Sequence, residues 1–403
     1  MLKKFNRFSI KQFQLMKSKS IISITTIAGT MESFVLESMK YMQSKGWDVT
    51  LMCNTNQHLI DRIPEGMHYV HIPMERSFSF VKAIKCTRQL VKEFKKRKPT
   101  IVQYGTTHAA LFGSIAAWLT RVPIRIHLQW GIYNYDEMGL VGKFYWFVEW
   151  LTCKLSTDIR PVSHKNLQVA LDEHLFKTGK GKVLGEGGTI GVDLTQYPLA
   201  EKEALRQHIC NKYGISESSY VYGFIGRISK DKGNNELIEA FRNMADSDAV
   251  LLLLGPNEGT IDKGLQEWAE KSPKVIFAGS VDHNDIPKHL AAMDVLVHPT
   301  YREGFGMVLQ EAMAMEVPII TTNIPGPSEV IEEGISGVLV PSHDTDALYE
   351  AMMDSYKHQE KYKQYGKNGR IRVEKYFDRP VMIENIYHDK EELYNSFINN
   401  KKH

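Results

Sequence analysis

The stretch HPTYREGFGMVLQEAMAMEVPIITTNIPGPSEVI, residues 298–331, alternates apolar runs with polar segments that contain glycine or proline. We expect a strand to end near Pro299 and a helix to begin around Met307. A second strand is expected within 317–322, before the glycine and proline turn. A strand, a helix and a further strand form the unit of a parallel sheet whose faces are covered by helices. The stretch therefore favours an α/β fold.

The same alternation extends along nearly the whole chain. Candidate strands lie at 21–28, 48–54, 100–105, 123–129, 157–162, 219–226, 249–255, 274–280, 294–299 and 317–322. The pattern stops and restarts once, which predicts two doubly wound domains with parallel sheets. We place the first domain at 1–195 and the second at 196–380, with a polar linker within 186–216. Ligands of such sheets bind at the carboxyl ends of strands, so the loops there are the candidate sites.

Length and composition limit the class of protein. The chain has 403 residues, 43% of them hydrophobic and 24% charged, which is ordinary for a soluble two-domain enzyme. This excludes a disordered chain, a collagen-like fibre and a polytopic membrane protein, since no apolar run approaches the ~18–20 residues that span a bilayer. The N-terminal residues lack an apolar core before a small-residue cleavage site, so we expect no secretory signal, and the four scattered cysteines indicate free thiols. We expect a cytoplasmic protein.

Charge is distributed unevenly between the two halves. Residues 1–200 hold 27 Lys and Arg against 15 Asp and Glu, whereas residues 201–403 hold 23 against 32. The basic residues cluster in 1–20 and 82–98. The first half therefore favours an anionic partner, with nucleic acid, an anionic membrane surface and a phosphate-bearing substrate as the candidates.

The sequence GFIGRISKDKG, residues 223–233, places two cations directly after a candidate strand. Gly226 is expected to end the strand, and Arg227 and Lys232 follow in a polar loop before a helix near Asn234. Glycine lets a backbone approach a ligand, and flexible cations beside a helix N-terminus suit a diphosphate. An ordinary loop with solvated charges has the same pattern, so the motif alone does not assign a site.

The segment Glu303-Gly304-Phe305-Gly306 precedes the helix expected from Met307. Backbone N–H groups at the positive end of a helix are suited to an anion. Glu311 lies one turn above Met307, where its carboxylate could accept hydrogen bonds from a ribose diol. The alternative is that Glu303 only caps the helix and Glu311 is a surface residue.

Taken together, these motifs resemble the nucleotide-sugar domain of the retaining GT-B glycosyltransferases of group 1, also called family 4. The family's E-x7-E element is matched by Glu303 and Glu311, and its G-R-x(n)-K-G loop by residues 226–233. Between the loop and the E-x7-E element, the family has a stretch with the patterns G-x-V and D-V-x-V-x-P, which residues 279–299 match. The resemblance covers nearly the full length, because GEGGTIGVD (185–193) is similar to the element before the family's linker.

The resemblance implies a GT-B fold, in which two Rossmann-like domains face each other across a cleft. A C-terminal helix, about 380–403, would cross back to the first domain. Arg227 and Lys232 would hold the leaving diphosphate, Glu303 would contact the donor sugar, and Glu311 would bind the ribose hydroxyls. The first three of these would take part in catalysis. The other donor-binding positions are Gly29, Gly226, Val281, Gly304, Phe305, Gly306, Met307 and Val308.

Two positions depart from the family's pattern. The family usually has glycine where this chain has Glu316, at the C-terminus of the helix. The family also places a histidine near the donor sugar after its fourth strand, and His127 is the candidate here, although a lone histidine in a strand is more often structural. No metal or other cofactor is expected, since the D-x-D pairs Asp246/Asp248 and Asp344/Asp346 are interpreted as solvated turns.

The basic first half then suits an acceptor that carries a polyprenyl diphosphate at an anionic membrane surface. Aromatic residues of 143–151 would lie at the membrane interface beside the basic helix. The alternative is a solvated basic helix and a core aromatic cluster. The residues predicted for this surface are Lys92, Lys95, Lys96, Arg97, Lys98, Phe144, Trp146 and Trp150.

The sequence thus predicts a retaining glycosyltransferase that moves a hexose or N-acetylhexosamine, with UDP favoured as the nucleotide. The acceptor would be a lipid-linked saccharide of capsule, exopolysaccharide or O-antigen assembly, and the protein would lie peripherally on the inner face of the cell membrane. The alternatives are a UDP-sugar 2-epimerase of the same fold, a basic nucleic-acid- or membrane-binding protein without catalysis, and an inactive scaffold. No nucleic-acid partner is expected.

Overall fold

The computed structural model describes residues 19–75, 79–132, 135, 139–244 and 247–400. The chain forms two compact units. Unit 1 consists of residues 1–190 and 383–403, and unit 2 consists of residues 191–382. Each unit is described by itself below.

Unit 1 contains a six-stranded parallel sheet among its described residues, in the order β3-β2-β1-β4-β5-β6. The strands are β1 (Ser20–Ile27), β2 (Asp48–Asn54), β3 (His68–His71), β4 (Ile101–Gly105), β5 (Ile124–Gln129) and β6 (Asp158–Pro161). The order reverses between β1 and β4, the doubly wound pattern that predicts a ligand crevice at that point.

Helices cover both faces of this sheet. They are α1 (Ala28–Phe34), α2 (Leu36–Ser44), α3 (Gln57–Arg62), α4 (Phe80–Arg97), α5 (Thr107–Leu119), α6 (Gly139–Leu155) and α7 (His164–Asp172). Successive residues of β1 supply the two cores, as alternation along a strand requires. Ile21 packs with α1 and α2, whereas Ile22 and Ile24 pack with α4 and α5.

The last helix, α16 (Arg379–Asn399), contributes its residues from 383 onward to unit 1. Tyr394 packs edge-on against Trp47, with the ring centroids 5.5 Å apart. Asp389 and Arg160 are both buried and form an ion pair, with 2.8 Å between Arg160 Nη2 and Asp389 Oδ1. An apolar contact and a buried ion pair therefore fix the end of the chain to unit 1.

Unit 2 contains a second six-stranded parallel sheet, in the order β12-β11-β10-β7-β8-β9. The strands are β7 (Tyr220–Ile225), β8 (Ala249–Leu254), β9 (Val275–Gly279), β10 (Val295–His298), β11 (Ile319–Thr322) and β12 (Gly337–Val340). The helices are α8 (Lys202–Tyr213), α9 (Asn234–Arg242), α10 (Lys263–Lys271), α11 (Ile286–Ala291), α12 (Met307–Ala314), α13 (Pro327–Val330), α14 (Thr345–Lys357) and α15 (Gln359–Tyr376). Here the order reverses between β7 and β10.

The two parallel sheets confirm the α/β, doubly wound prediction, and each of the ten candidate strands is present. The helices expected near Asn234 and Met307 begin at those residues. The edge strands β3 and β12 were not predicted. β3 has only half-buried or exposed side chains, so it lacks the apolar run of a central strand. β12 is apolar, with the sequence Gly-Val-Leu-Val, but it is a short strand at the edge of its sheet.

Candidate functional site

The candidate site of unit 2 lies at the carboxyl ends of β7 and β10, where the strand order reverses. The two strands pair directly, with Val295 opposite Tyr222. The loops that follow them, 226–233 and 299–306, therefore leave the sheet side by side. This is the position at which open α/β sheets bind ligands.

The two loops touch through their backbones. Gly233 has a φ of +70°, and a Cβ on it would lie 2.0 Å from the carbonyl oxygen of Pro299. The amide of Tyr301 donates to the carbonyl of Asp231 at 3.0 Å. Only glycine accepts both this conformation and this contact, so the last glycine of the predicted motif is what holds the loops together.

Lys232 and Glu303 form an ion pair across these loops. The Lys232 ammonium donates to Oε2 of Glu303 at 2.7 Å, and the two side chains are 14% and 26% exposed. It also lies 3.3 Å from the carbonyl of Arg302. Burial alone would raise the pKa of Glu303, but the Lys232 ammonium and the His298 ring outweigh it and hold this pKa well below its ordinary value. Glu303 is therefore ionised.

Arg227 is held by two carboxylates at the surface of the same loop. Its Nη1 donates to Glu258 at 2.6 Å and its Nη2 to Asp231 at 2.9 Å. The hydrogen bond to Glu258 is the main reason that the pKa of Arg227 is raised. The guanidinium is 45% exposed, so an anionic ligand could replace either carboxylate without a change of fold.

The N-terminus of α12 lies directly after Glu303. Gly306 is the N-cap, with a φ of +97°, and no side chain caps the helix there. Phe305 is buried against Phe377, with the ring centroids 5.6 Å apart. The buried phenyl ring fixes the glycine segment, so the positive end of the helix has a defined position beside the ion pair.

Glu311 is buried on α12, rather than lying on the surface. Its Oε1 is 3.8 Å from Nε2 of the exposed His283. Burial raises the pKa of Glu311, although His283 and the hydroxyl of Tyr197 act in the opposite direction. Val281, one of the predicted donor-binding positions, lies in the loop between β9 and the turn at His283–Asp285. The alternative of Glu311 as a solvated helix residue is therefore wrong.

His298 is a residue of this site that the sequence analysis did not single out. It ends β10, is 2% exposed, and stacks on Phe224 with ring centroids 5.8 Å apart. Its Nε2 lies 3.6 Å from Oε2 of Glu303, beyond normal hydrogen-bond length. The sequence gives no signal of this role, because a histidine among apolar strand residues is most simply interpreted as part of the hydrophobic core.

In unit 1, Gly29 and His127 have different surroundings. Gly29 follows β1 at the start of α1, and a Cβ on it would meet no atom within 4 Å, so a ligand has room to approach it. His127 is 3% exposed, and its Nε2–H donates to the Glu149 carboxylate of α6 at 2.8 Å. Since its ring is enclosed between the sheet and α6, the structure favours the structural interpretation of His127.

His127, Glu149 and Cys153 are the group of potential metal ligands found among the described residues. The Cys153 sulfur is 4.0 Å from Glu149, and Gln129 donates to the same carboxylate at 2.7 Å. The Glu149 carboxylate therefore accepts from His127, Gln129 and the Cys153 thiol. Of the D-x-D residues, Asp344 caps α14 through the amide of Ala347 at 2.9 Å, and Asp246 lies outside the described residues.

The predicted membrane surface divides into two parts. Trp146 and Trp150 are half-buried and stack on each other, and the Trp146 indole donates to the carbonyl of Glu173 at 3.0 Å. They fit the alternative of a core aromatic cluster. Phe144 remains 49% exposed. Of the basic segment 1–20, residues 1–18 lie outside the described residues.

The cations predicted for the membrane surface and the exposed apolar residues lie at opposite ends of α4. Lys92, Lys95, Lys96 and Lys98 are exposed at its C-terminal end, whereas Arg97 pairs with Glu93 at 3.2 Å. The N-terminal ends of α4 and α6, which both pack against α5, instead expose large apolar side chains. These are Phe80, Val81, Ile84, Leu140, Val141, Phe144 and Phe147, called here the apolar patch. The exposed cations Lys82, Lys85 and Arg88 of α4 are nearer to that patch.

Comparisons with known proteins show the family of this chain. The family model described as "Glycosyl transferases group 1" matches residues 206–372, and "Glycosyl transferase 4-like" matches 23–155. The capsular polysaccharide biosynthesis glycosyltransferase CapM of Staphylococcus aureus is 30% identical over 95% of this chain and 98% of its own length. UDP-Gal:alpha-D-GlcNAc-diphosphoundecaprenol alpha-1,3-galactosyltransferase of Escherichia coli is 25% identical over 79% of this chain and 82% of its own length.

Solved structures show the same fold. Anabaena Alr3699/HepE, solved in complex with UDP-glucose, is 18% identical to this chain. The match covers 93% of this chain and 99% of that chain, with a TM-score of 0.74. This confirms the predicted fold class.

Proposed function

Since the chain belongs to the group 1 glycosyltransferase family, we propose that it transfers a hexose or N-acetylhexosamine from a UDP-sugar, with retention, to a polyprenyl-diphosphate-linked saccharide. The product would enter a surface polysaccharide such as a capsule. The observation that carries the proposal is the convergence of Arg227, Lys232, Glu303 and the N-terminus of α12 at the carboxyl edge of β7 and β10.

The donor diphosphate would replace the carboxylates that these cations now contact. Departure of a nucleoside diphosphate develops negative charge, and positioned cations beside a positive helix end stabilise such charge in the transition state. Arg227 and Lys232 supply the cations, and the amides of 305–308 are at the helix end. This chemistry uses no metal ion. Glu303, released from Lys232, would face the hydroxyls of the sugar.

The nucleoside would lie toward Glu311. This carboxylate is buried but adjoins the exposed His283, and a ribose diol could donate two hydrogen bonds to it. UDP is favoured because the Escherichia coli relative is named as a UDP-Gal transferase. Recognition of uracil by the backbone near Val281 would leave little trace in side chains.

The acceptor proposal is supported by unit 1 and by names of relatives. The relative from Staphylococcus aureus is named for capsular polysaccharide biosynthesis, and that from Escherichia coli for a diphosphoundecaprenol substrate. The apolar patch and the neighbouring cations Lys82, Lys85 and Arg88 suit an anionic membrane surface. Among the described residues, no helix combines the length and hydropathy needed to cross a membrane. We place the protein peripherally on the inner face of the cell membrane.

A thermal-shift panel tests the donor assignment. UDP, GDP, ADP and their sugar conjugates are added to the purified protein, and the melting temperature is followed against ligand concentration. A ligand at 100 times its Kd stabilises the folded state by about 2.7 kcal/mol. UDP and at least one UDP-sugar should raise the melting temperature more than the GDP and ADP compounds. A larger shift with GDP would reject UDP, and no shift with any nucleotide would reject the donor site.

A further inference from the structure

His298 is enclosed beside the donor loops without a hydrogen-bond partner. Neither ring nitrogen has one among the described residues, although the residue is 2% exposed. Its ring is held parallel to that of Phe224, with an interplanar angle of 16°. A buried polar atom without a partner destabilises a fold, so such atoms are rare and call for an explanation.

The charged group beside this ring is the Glu303 carboxylate. Its Oε2 accepts from Lys232 at 2.7 Å and lies 3.6 Å from Nε2 of His298. One oxygen therefore lies between two potential donors, and at present it is bonded to Lys232. A displacement of under ~1 Å would bring it within hydrogen-bond length of the imidazole.

We propose that His298 is a positioning residue that becomes the partner of Glu303 when Lys232 moves to the donor diphosphate. The inference rests on the proposed function, which assigns Lys232 to the diphosphate. Once the ammonium leaves, Oε2 would lose its cation in a partly buried position, which is costly unless another donor replaces it. An N–H at Nε2 of His298 supplies that donor and keeps the carboxylate directed at the sugar.

Two substitutions separate this role from simple packing. His298→Phe keeps a flat ring against Phe224 but removes the N–H, whereas His298→Gln removes the ring but places an N–H near Nε2. Each variant is assayed for hydrolysis of UDP-glucose, UDP-galactose and UDP-N-acetylglucosamine, using the donor that the wild-type protein hydrolyses fastest. UDP affinity is measured in parallel, because UDP lacks the sugar that Glu303 would contact.

We expect His298→Phe to lower kcat/KM on the order of 10–100-fold, the effect of one hydrogen bond to a charged group, with the Kd for UDP unchanged. His298→Gln should retain most of the activity. The opposite order, an active Phe variant and an inactive Gln variant, would show that only the ring matters and would overturn the proposal. So would a fall in UDP affinity that accounts for the whole loss.

Controls distinguish a failure of this proposal from misfolding of the variant and from a wrong assignment of the donor site. His289 is buried in the same unit but bonds to Tyr213 at 3.1 Å and to the carbonyl of Asp285 at 2.8 Å, so His289→Phe should lower stability without this change in kcat/KM. If His298→Phe does not fold, imidazole nitrogen NMR of the wild type replaces it. A UDP-sugar should then shift Nε2 of His298 to a hydrogen-bonded value, and an unchanged signal would contradict the exchange. A wild type that binds no UDP refutes the donor site itself.

Discussion

The donor loops of unit 2 and helix α4 of unit 1 both present cations, but their surroundings differ. Lys232 and Arg227 each bond to carboxylates at 2.6–2.9 Å. Lys85, Lys92, Lys95 and Lys96 have no ion pair among the described residues and point into solvent. Paired cations beside a helix end act at one position, where a diphosphate takes the place of a carboxylate. Solvated cations act through their summed field, which salt screens over a Debye length of ~8–10 Å.

The largest effect is expected at the paired cation. Lys232→Ala should lower the turnover of a UDP-sugar about 10²–10³-fold, because a preorganised donor to the developing charge is lost. Lys230→Ala is the matched control, since Lys230 is exposed in the same loop. Steady-state rates of both variants decide the point. Equal rates would mean that the position of the charge does not matter.

The solvated cations should control membrane binding instead. Lys82 is paired with Glu75 at 2.7 Å, so the two cations nearest to the apolar patch that have no ion pair among the described residues are Lys85 and Arg88. Replacing both by Gln should weaken binding to anionic vesicles by about 2 kcal/mol, or roughly 30-fold, at ~1 kcal/mol for each charge. Replacing Lys95, Lys96 and Lys98 by Gln should have less effect, because these residues lie at the far end of α4 from the apolar patch. Flotation with vesicles at low and high salt measures both. A greater loss in the second variant would place the contact at the C-terminal end of α4.

A smaller effect is expected for the ribose contact. Glu311→Ala should weaken UDP binding about 10-fold while the maximal rate changes less, since this contact is present in the ground and transition states alike. Titration calorimetry with UDP gives the Kd. Glu350→Ala, an exposed glutamate on α14, serves as the control. An unchanged Kd for UDP in the Glu311 variant would show that Glu311 does not bind the ribose.

The smallest effect concerns Glu316, outside the site. Its φ is +52°, in the left-handed region that costs a residue other than glycine about 1–2 kcal/mol. Glu316→Gly should relieve this strain and, after the added freedom of the unfolded chain, stabilise the protein by about 0.5–1 kcal/mol. Glu316→Ala should not, because alanine keeps the Cβ. Denaturant unfolding measures the free energy of unfolding of both variants and the wild type. A Gly variant no more stable than the wild type would contradict the claim that the backbone is strained at Glu316.

The sequence predicted those parts of the fold and site whose signal is local. Central strands buried on both faces read as apolar runs, and the glycines at 226–233 and 303–306 separate them from helices. Both loops of the candidate site are therefore predictable from the sequence, but the contact between them is not. The edge strands were not predicted: β3 has half-buried and exposed side chains like those of a loop, and β12 is a four-residue apolar segment at the edge of its sheet.

Long-range packing decided the remaining features. His298 belongs to the site only because the Glu303 side chain folds back toward β10, which no spacing in the sequence reveals. Tyr197, which faces Glu311, lies more than 100 positions away in a segment predicted as linker. Trp146 and Trp150 were predicted at a membrane, but they pack on each other and on their own unit. A run of aromatic residues in the sequence fits a buried cluster as well as it fits a membrane interface.

The most direct test of the donor site is a crystal structure of the protein with UDP. We predict that a diphosphate oxygen lies within ~3 Å of Lys232 Nζ and that the 2.7 Å bond between Lys232 and Glu303 is broken. UDP bound elsewhere, or at these loops with that ion pair intact, would contradict the central claim that the paired cations of unit 2 exchange a carboxylate for the diphosphate.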